Sequence, residues 1–389
     1  MQFTTSKSDI FEVIQKVLGV VPAKTTIPIL SNLLFELSND ILTISGTDLE
    51  ISISSKIKVK SVSDGAIAIP ARMITDIIRE LPDVPLDFLL EENDWIKIQA
   101  GRGLYRVAGQ PRDDFPKISM EESEKDFNLT ISELSRFISK TIFAISSDEL
   151  RPALTGVYLE ILENELRFVG TDGHRLSRVV LTDFKSDDYN RNIIIPSKTL
   201  NLLMRSFEEE GQVNIKIGKD HIIFGLNNTI INSKLIDSQY PNYERVIPND
   251  NDKKMVVNKD VLHATLRRSI IFSNSLTHQV RFDIAPSTLT ISAEDIEYGG
   301  ESKEEIPIQF DDENMALGYN AAYLIDVLRH LDTEEVIFEL KNSGTAAIIY
   351  PTEQKKNENL TMLLMPMRLT SETEEEQEDE EPEDTPEYE

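Results

Sequence analysis

The side chains best equipped for chemistry stand together at residues 166–176, LRFVGTDGHRL, where Thr171, Asp172, His174 and Arg175 fall within five positions. A hydroxyl, a carboxylate and an imidazole so close together invite a hydrolytic reading. Thr171, however, sits at no nucleophile elbow, and no other nucleophile is near. The five histidines, His174, His221, His263, His278 and His330, share no metal-ligand spacing. Gly218-Lys219 lacks both the upstream glycine and the following Ser or Thr of a phosphate loop. The chain has no cysteine, which excludes thiol nucleophiles, disulfides and cysteine-held zinc or iron–sulfur centres. The expected function is therefore not catalytic, and no metal or cofactor is expected.

The stretch reads instead as a strand and turn: Leu166, Phe168 and Val169 favour a strand, and Gly170 and Gly173 favour the turn. It occurs three times. Residues 42–50 read LTISGTDLE and residues 289–297 read LTISAEDIE, with Asp48, Asp172 and Asp295 spaced 124 and 123 apart. That period is the size of a domain.

Each repeat then follows one order of helix, strands, helix, strands. In the first, Ser8 or Asp9 caps a helix whose apolar face is Ile10, Val13, Ile14, Val17 and Leu18. Strands are expected over 33–37, 42–45, 51–59 and 66–69, and Pro70 opens the second helix from its first turn. Strands follow over 86–90, 95–99 and 105–108. The second repeat has helices over 132–145 and 197–207, and the third over 258–272 and 320–331. The expected class is α+β, with the two helices of each repeat packed side by side on antiparallel sheet. Domains are expected at 1–122, 126–248 and 254–369, with polar linkers near 121–125 and 249–254. Residues 370–389 contain twelve acids, no Lys or Arg and nothing to bury, and are expected to be disordered.

At 389 residues, two to four domains are expected. No apolar run reaches the length of a membrane span, and Met1-Gln2-Phe3 opens without a signal peptide, so a cytoplasmic protein is expected. The net charge is −28; without the acidic tail it is 40 minus 56, or −16. An acidic body ordinarily argues against a nucleic-acid partner. The six expected helices nevertheless carry twelve Lys and Arg against seven Asp and Glu. Helices tolerate basic residues on any solvated face. Together they could also form one basic surface that holds polyanion through phosphate contacts without reading sequence. A domain of this size is roughly 35 Å across, so six in a ring leave a hole of about 35 Å, enough for duplex DNA. Three make half a ring, and a head-to-tail dimer would close it.

With these features in hand, the sequence resembles the bacterial β sliding clamp family over residues 1–369. The resemblance rests on Pro28-Ile29-Leu30, Asn32-Leu33-Leu34, Gly46-Thr47-Asp48-Leu49-Glu50 and TDGHRL at 171–176. Phe115-Pro116, Tyr240-Pro241-Asn242-Tyr243 and MPMRL at 365–369 complete it. It implies a clamp fold of three similar domains, dimerised into a ring that encircles duplex DNA without sequence preference. The ring would tether the DNA polymerase III alpha subunit, be opened by the clamp loader, and serve other DNA polymerases and repair proteins. A repeat-built scaffold that binds proteins but not DNA is the alternative.

The resemblance also implies a partner-peptide pocket between the second and third domains. Its residues would be Leu154, Thr171, Gly173, His174, Arg175, Leu176, Pro241, Arg245, Val246, Asn320, Tyr323, Met365, Pro366, Met367, Arg368 and Leu369. Without the resemblance, His174 reads as a turn residue, and Met365 and Met367 as core filler. The apolar members would form an adaptable cleft, and Arg175 and Arg245 would hold polar ends of a peptide. Lys24 and Arg72 match family positions near the duplex; Arg136, Lys140, Lys198, Arg205 and Arg267 are the further cations expected to face DNA. At the dimer contact, Arg102, Tyr105, Arg106 and Val107 would meet Ile271, Phe272, Glu301, Glu304 and Glu305. Two departures stand out. Pro152 and Ala153 replace a pair of family aromatics, and family members usually end near Leu369, so the acidic tail is an addition. The tail is expected to weaken acidic partner peptides or steer basic ones.

Overall fold

A strand of a half-buried antiparallel sheet alternates its side chains between core and solvent, and the chain is built mainly of such strands. The computed structural model describes residues 1–118, 123–295 and 299–369. The expected disorder of 370–389, the Ile296 and Glu297 positions of the third turn, and part of the first linker lie outside the described residues. The chain forms two compact units. The first comprises Met1–Ile142, Ser147–Glu163 and Lys185–Tyr240; the second comprises Phe143–Ser146, Asn164–Phe184 and the chain from Pro241 onward.

In the first unit, eight strands run in the order Lys125–Thr130, Gln212–Ile217, His221–Gly225, Thr229–Lys234, Ile51–Lys58, Ile41–Thr47, Asn32–Ser38 and Gly65–Pro70. The middle pairing joins the first sequence repeat to the second: Ile231 lies opposite Ile53, and the Thr229 and Ser55 hydroxyls are 2.8 Å apart. A smaller sheet orders Lys60–Ser63, Gln2–Thr5, Leu86–Leu90, Trp95–Ala100 and Gly103–Ala108, with Gly103–Ala108 at its edge. In the second unit, Leu166–Thr171 pairs with Arg175–Leu181, which pairs with Glu358–Leu364. The order continues through Ala347–Pro351, Glu335–Leu340, Lys253–Asn258, Gly300–Gln309, Thr288–Asp295, Gln279–Ala285 and Met315–Asn320.

The helices are α1 (Lys7–Leu18), α2 (Ala71–Glu80), α3 (Ile131–Ile142), α4 (Ser197–Arg205), α5 (Lys259–Ser269) and α6 (Ala321–Arg329). They pack in the expected pairs, α1 with α2, α3 with α4 and α5 with α6. Each buries a helical-period stripe; in α1 it is Ile10, Val13, Ile14 and Val17. Full burial of each such side chain contributes about 1.5–3 kcal/mol. The cap of α1 is Ser6 rather than Ser8 or Asp9, since the Asp9 amide donates to the Ser6 hydroxyl at 3.1 Å. Pro70 is not in the first turn of α2: it keeps an extended backbone, ends its strand and precedes the helix. Thr130 and Glu133 form a reciprocal capping box before α3. Lys125 and Lys253, expected in linkers, begin strands. The strands at Gln2–Thr5, Lys60–Ser63, Arg175–Leu181, Gly300–Gln309 and Met315–Asn320 go beyond the expected set.

The repeated aspartate has one job in the first two copies. Asp48 Oδ1 accepts the amides of Glu50 (3.0 Å) and Ile51 (2.7 Å), and the Thr47 hydroxyl donates to the Ile51 carbonyl. Asp172 Oδ1 accepts the amides of His174 (2.9 Å) and Arg175 (3.0 Å), and the Thr171 hydroxyl donates to the Arg175 carbonyl. The residue after the aspartate has positive φ in both turns, 79° at Leu49 and 93° at Gly173. Only Gly173 adopts it without steric cost. Asp48→Ala strands two amides and should cost about 1–3 kcal/mol in urea unfolding. Asp48→Asn keeps the accepting oxygen and loses only the exposed Lys198 pair, so it should stay within about 1 kcal/mol of wild type. Equal damage from both substitutions would contradict this role.

Candidate functional site

Several of the expected site residues meet at the 171–175 turn of the second unit. Its tight geometry turns the chain so that Arg175 enters the interior, 9 % exposed, while His174 stays outside. A buried guanidinium needs acceptors on every side. Arg175 Nε donates to Asp172 Oδ2 (3.1 Å), Nη1 to Asp326 Oδ2 (2.8 Å) and Nη2 to the Phe143 carbonyl (2.7 Å). Its flat cation also lies 4.5 Å from the Tyr323 ring centre and 5.4 Å from that of Phe143. Arg175 therefore does not extend freely to hold a peptide end. It is the internal tie of the site, and Asp172, Asp326 and Phe143, absent from the expected set, are its partners.

The C-terminal residues close on this turn. The Met365 amide donates to the His174 carbonyl at 2.8 Å, and the Met367 amide to the Gly318 carbonyl at 2.8 Å. Gln279 Nε2 donates to the Arg368 carbonyl at 3.1 Å. Asn320 caps α6 by accepting the Tyr323 amide, and donates to the Thr277 carbonyl. The His174 and Tyr323 rings lie 6.2 Å apart, tilted by 37°, within the range of an aromatic pair. The short turn Tyr243–Val246 is tied to the same hairpin at its other end, where Glu244 accepts from Arg167 at 2.8 Å. Arg245 and Pro241 are exposed, as is Val246 at 53 %. Met365 is 39 % exposed, whereas Leu176 is buried. Leu154 belongs to the first unit, in the short helical turn Pro152–Leu154 that holds the two aromatic replacements.

All twelve helix cations expected from sequence do lie on the six helices. Lys24, Arg72, Lys198, Arg205 and Arg267 are exposed, and Arg136 is half-buried. Lys140 needs correction: it is 5 % exposed, on the inner side of α3, and cannot meet a phosphate. Lys198 is engaged with Asp48.

At the expected dimer contact, Arg102, Tyr105, Arg106, Ile271, Phe272, Glu301 and Glu305 are exposed. Val107 is a correction, being a 1 % exposed core residue on the inner face of its strand; Leu104, 56 % exposed, lies outward and is not among the expected residues. Glu304 is held by Arg268 at 2.6 Å, and that bond keeps its carboxyl below the usual range. Arg106 is likewise bonded to Glu91 and lies over Trp95. The strand Gly300–Gln309 pairs on one side, from Gly300 to Pro307, with Thr288–Asp295. On its other side the paired residues are Ile308 and Gln309.

No group of three or more His, Asp or Glu among the described residues is placed to hold a metal. No described helix is long and apolar enough to cross a membrane.

Comparison with known proteins agrees across the whole body of the chain. Family models described as the N-terminal, central and C-terminal domains of the DNA polymerase III beta subunit match residues 1–119, 128–242 and 244–368. The beta sliding clamp of Pseudomonas aeruginosa is 33 % identical over 372 residues, covering 95 % of this chain and 100 % of that one. That of Haemophilus influenzae is 33 % identical over 371 residues, with the same coverage. A crystal structure of the Pseudomonas aeruginosa DNA polymerase III subunit beta superposes with a TM-score of 0.91 at 33 % identity, covering 95 % and 100 %.

Gly318 explains how residues 365–369 lie so close to their neighbours: a Cβ there would meet the Met367 carbonyl oxygen at 2.6 Å. Gly318→Ala should push that segment away and speed hydrogen exchange at the Met367 amide at least about fivefold, the loss of one net hydrogen bond. Gly225→Ala, whose nearest neighbours stand at 3.6 Å, should leave it unchanged. Retained protection at Met367 in the Gly318 variant would contradict the packing described.

Proposed function

Because the chain belongs to the β sliding clamp family and is a DNA sliding clamp, we propose that two copies close head to tail into a ring around duplex DNA. The observation that carries this reading is the pair of open sheet edges. Gly103–Ala108 ends its sheet, and most of Gly300–Gln309 is paired on one side only. Unpaired strand edges invite another strand. Arg102 and Tyr105 on the first edge would meet Ile271, Phe272, Glu301 and Glu305 of a second copy. Charge at the rim and apolar contact inside suit a ring that must open and reclose.

The three clamp domains would span 1–122, 126–248 and 254–369. Lys24, Arg72, Arg205 and Arg267 would face the duplex, joined by Lys198 when it leaves Asp48 and by Arg136. Their contacts would be with phosphates, so the ring slides rather than reads. Partners would insert a peptide beside the 171–175 turn, against His174, Tyr323, Val246 and Met365, with exposed Arg245 available to a polar end. These partners would be the polymerase III alpha subunit, the clamp loader, and other polymerases and repair proteins. The protein would act in the cytoplasm as a non-catalytic subunit without cofactor.

The test is topological. Loaded by a clamp loader onto nicked circular DNA, the protein should stay bound through a high-salt wash and be lost when the circle is linearised. Retention that ignores linearisation would sink the ring and favour ordinary affinity; failure to load with an active loader would favour a scaffold without DNA.

Residues 370–389, which follow Leu369 in the chain, carry twelve acids and no Lys or Arg. Deleting them should tighten acidic partner segments about threefold at low salt, and much less at 1 M salt, where the screening length is about 3 Å. Unchanged affinity at low salt would remove the steering role.

A further inference from the structure

We propose that Asp326, which is not among the residues expected to touch a partner peptide, is a positioning residue for that site. The inference rests on the peptide-binding reading above and deepens it. One face of the site is the 171–175 turn, which carries His174. Another is the start of α6, which carries Tyr323. These elements are far apart in sequence, and the pairing of strands does not by itself set the gap between them. The Arg175 guanidinium does, because it bonds Asp172 within the turn and Asp326 within α6 at the same time.

The Asp326 carboxylate is the α6 end of that tie. Its Oδ2 takes the Arg175 bond at 2.8 Å, while Oδ1 stands 3.7 Å from Arg329. The backbone of Asp326 is fixed as well: His330 Nδ1 donates to its carbonyl at 2.7 Å, and the His330 ring stacks on Phe143 at 4.0 Å and 5°. Phe143 in turn accepts from Arg175 through its own carbonyl. The turn, residue 143 and α6 thus form a closed circuit through one cation. The carboxylate is partly open to water, with its side chain 37 % exposed, so its contribution should be geometric more than a large gain in stability. Without it, Arg175 keeps Asp172 and the Phe143 carbonyl, and α6 loses its hydrogen-bonded tie to the turn, keeping the ring contacts of Tyr323 and His330. The spacing of the His174 and Tyr323 rings, 6.2 Å between centres, would then be held less firmly.

The experiment uses the full chain, with purified DNA polymerase III alpha subunit as the probe in surface binding measurements. Asp326→Asn should weaken binding about tenfold, the scale of one charge-assisted hydrogen bond. Arg329→Ala, which removes the carboxylate's other neighbour, should leave affinity within about twofold. The readout that separates positioning from general destabilisation is a double-mutant cycle with His174→Ala. In that background, Asp326→Asn should cost less than about threefold, because the wall it positions has already been removed. Asp326→Glu, which keeps the charge, should bind more tightly than Asp326→Asn and provides a second variant should the first fold poorly. Wild-type affinity in Asp326→Asn, or an undiminished tenfold loss in the His174→Ala background, would overturn the proposal. If His174→Ala and Met365→Ala also leave binding unchanged, the peptide-site reading itself fails and this inference with it. If they weaken binding while Asp326→Asn does not, only the inference fails.

Discussion

One carboxylate receiving two backbone amides sets the scale of this molecule. Asp48 and Asp172 each accept the amides two and three residues on, and each holds a strand end in a fixed turn. Asp295 is buried at the matching place in the third copy. Such a turn satisfies polar groups that a sheet edge would otherwise leave open, so it can be duplicated with the domain and kept. The residues after the aspartate are then free to diverge. In the first copy the turn pairs outward to Lys198; in the second a guanidinium runs inward and gathers two carboxylates, a carbonyl and two rings. The repeat supplies the frame, and one substitution pattern within it makes a site.

Charge is organised by the same economy. The body is acidic, yet the helices carry a surplus of bases. Several of those bases are occupied: Lys16 pairs with Glu12, Arg79 with Asp76 and Arg268 with Glu304. The exposed remainder is small. A ring that relies on topology needs only weak, unspecific phosphate contacts, because tight ones would stop it sliding. A modest surplus of helix bases in an acidic protein would therefore suit the proposed ring better than a strongly basic one.

Much of the fold can be read from residue order, since alternating strands, helical stripes and the Asn39-Asp40 hairpin turn, both residues at positive φ, are local signals. The strand Gly300–Gln309 is harder to see because GESKEEIPIQ carries four charges in its first six residues, a pattern that marks an edge only when its neighbours are known. The site is legible in type but not in role. Arg175 reads as a ligand contact because an arginine beside a glycine turn is usually exposed; its burial depends on Asp326, 151 residues away. Lys140 shares α3 with the half-buried Arg136, and only packing shows which face it occupies. Val107 lies inward between outward Arg106 and Ala108, but Leu104 and Tyr105 before it are both exposed, so only packing singles it out. Asp172 carries the plainest signal outside the expected set, since its repetition is visible in the sequence alone.

The proposed ring depends on two edges of one chain completing each other in a second copy. Sedimentation equilibrium of the full chain at micromolar concentration measures that directly. The expected result is twice the chain mass for the wild type and the monomer mass for Ile271→Asp, which places a charge at the centre of the proposed contact. A wild-type protein that stays monomeric across that range, or an Ile271→Asp variant that dimerises as tightly as wild type, would contradict it.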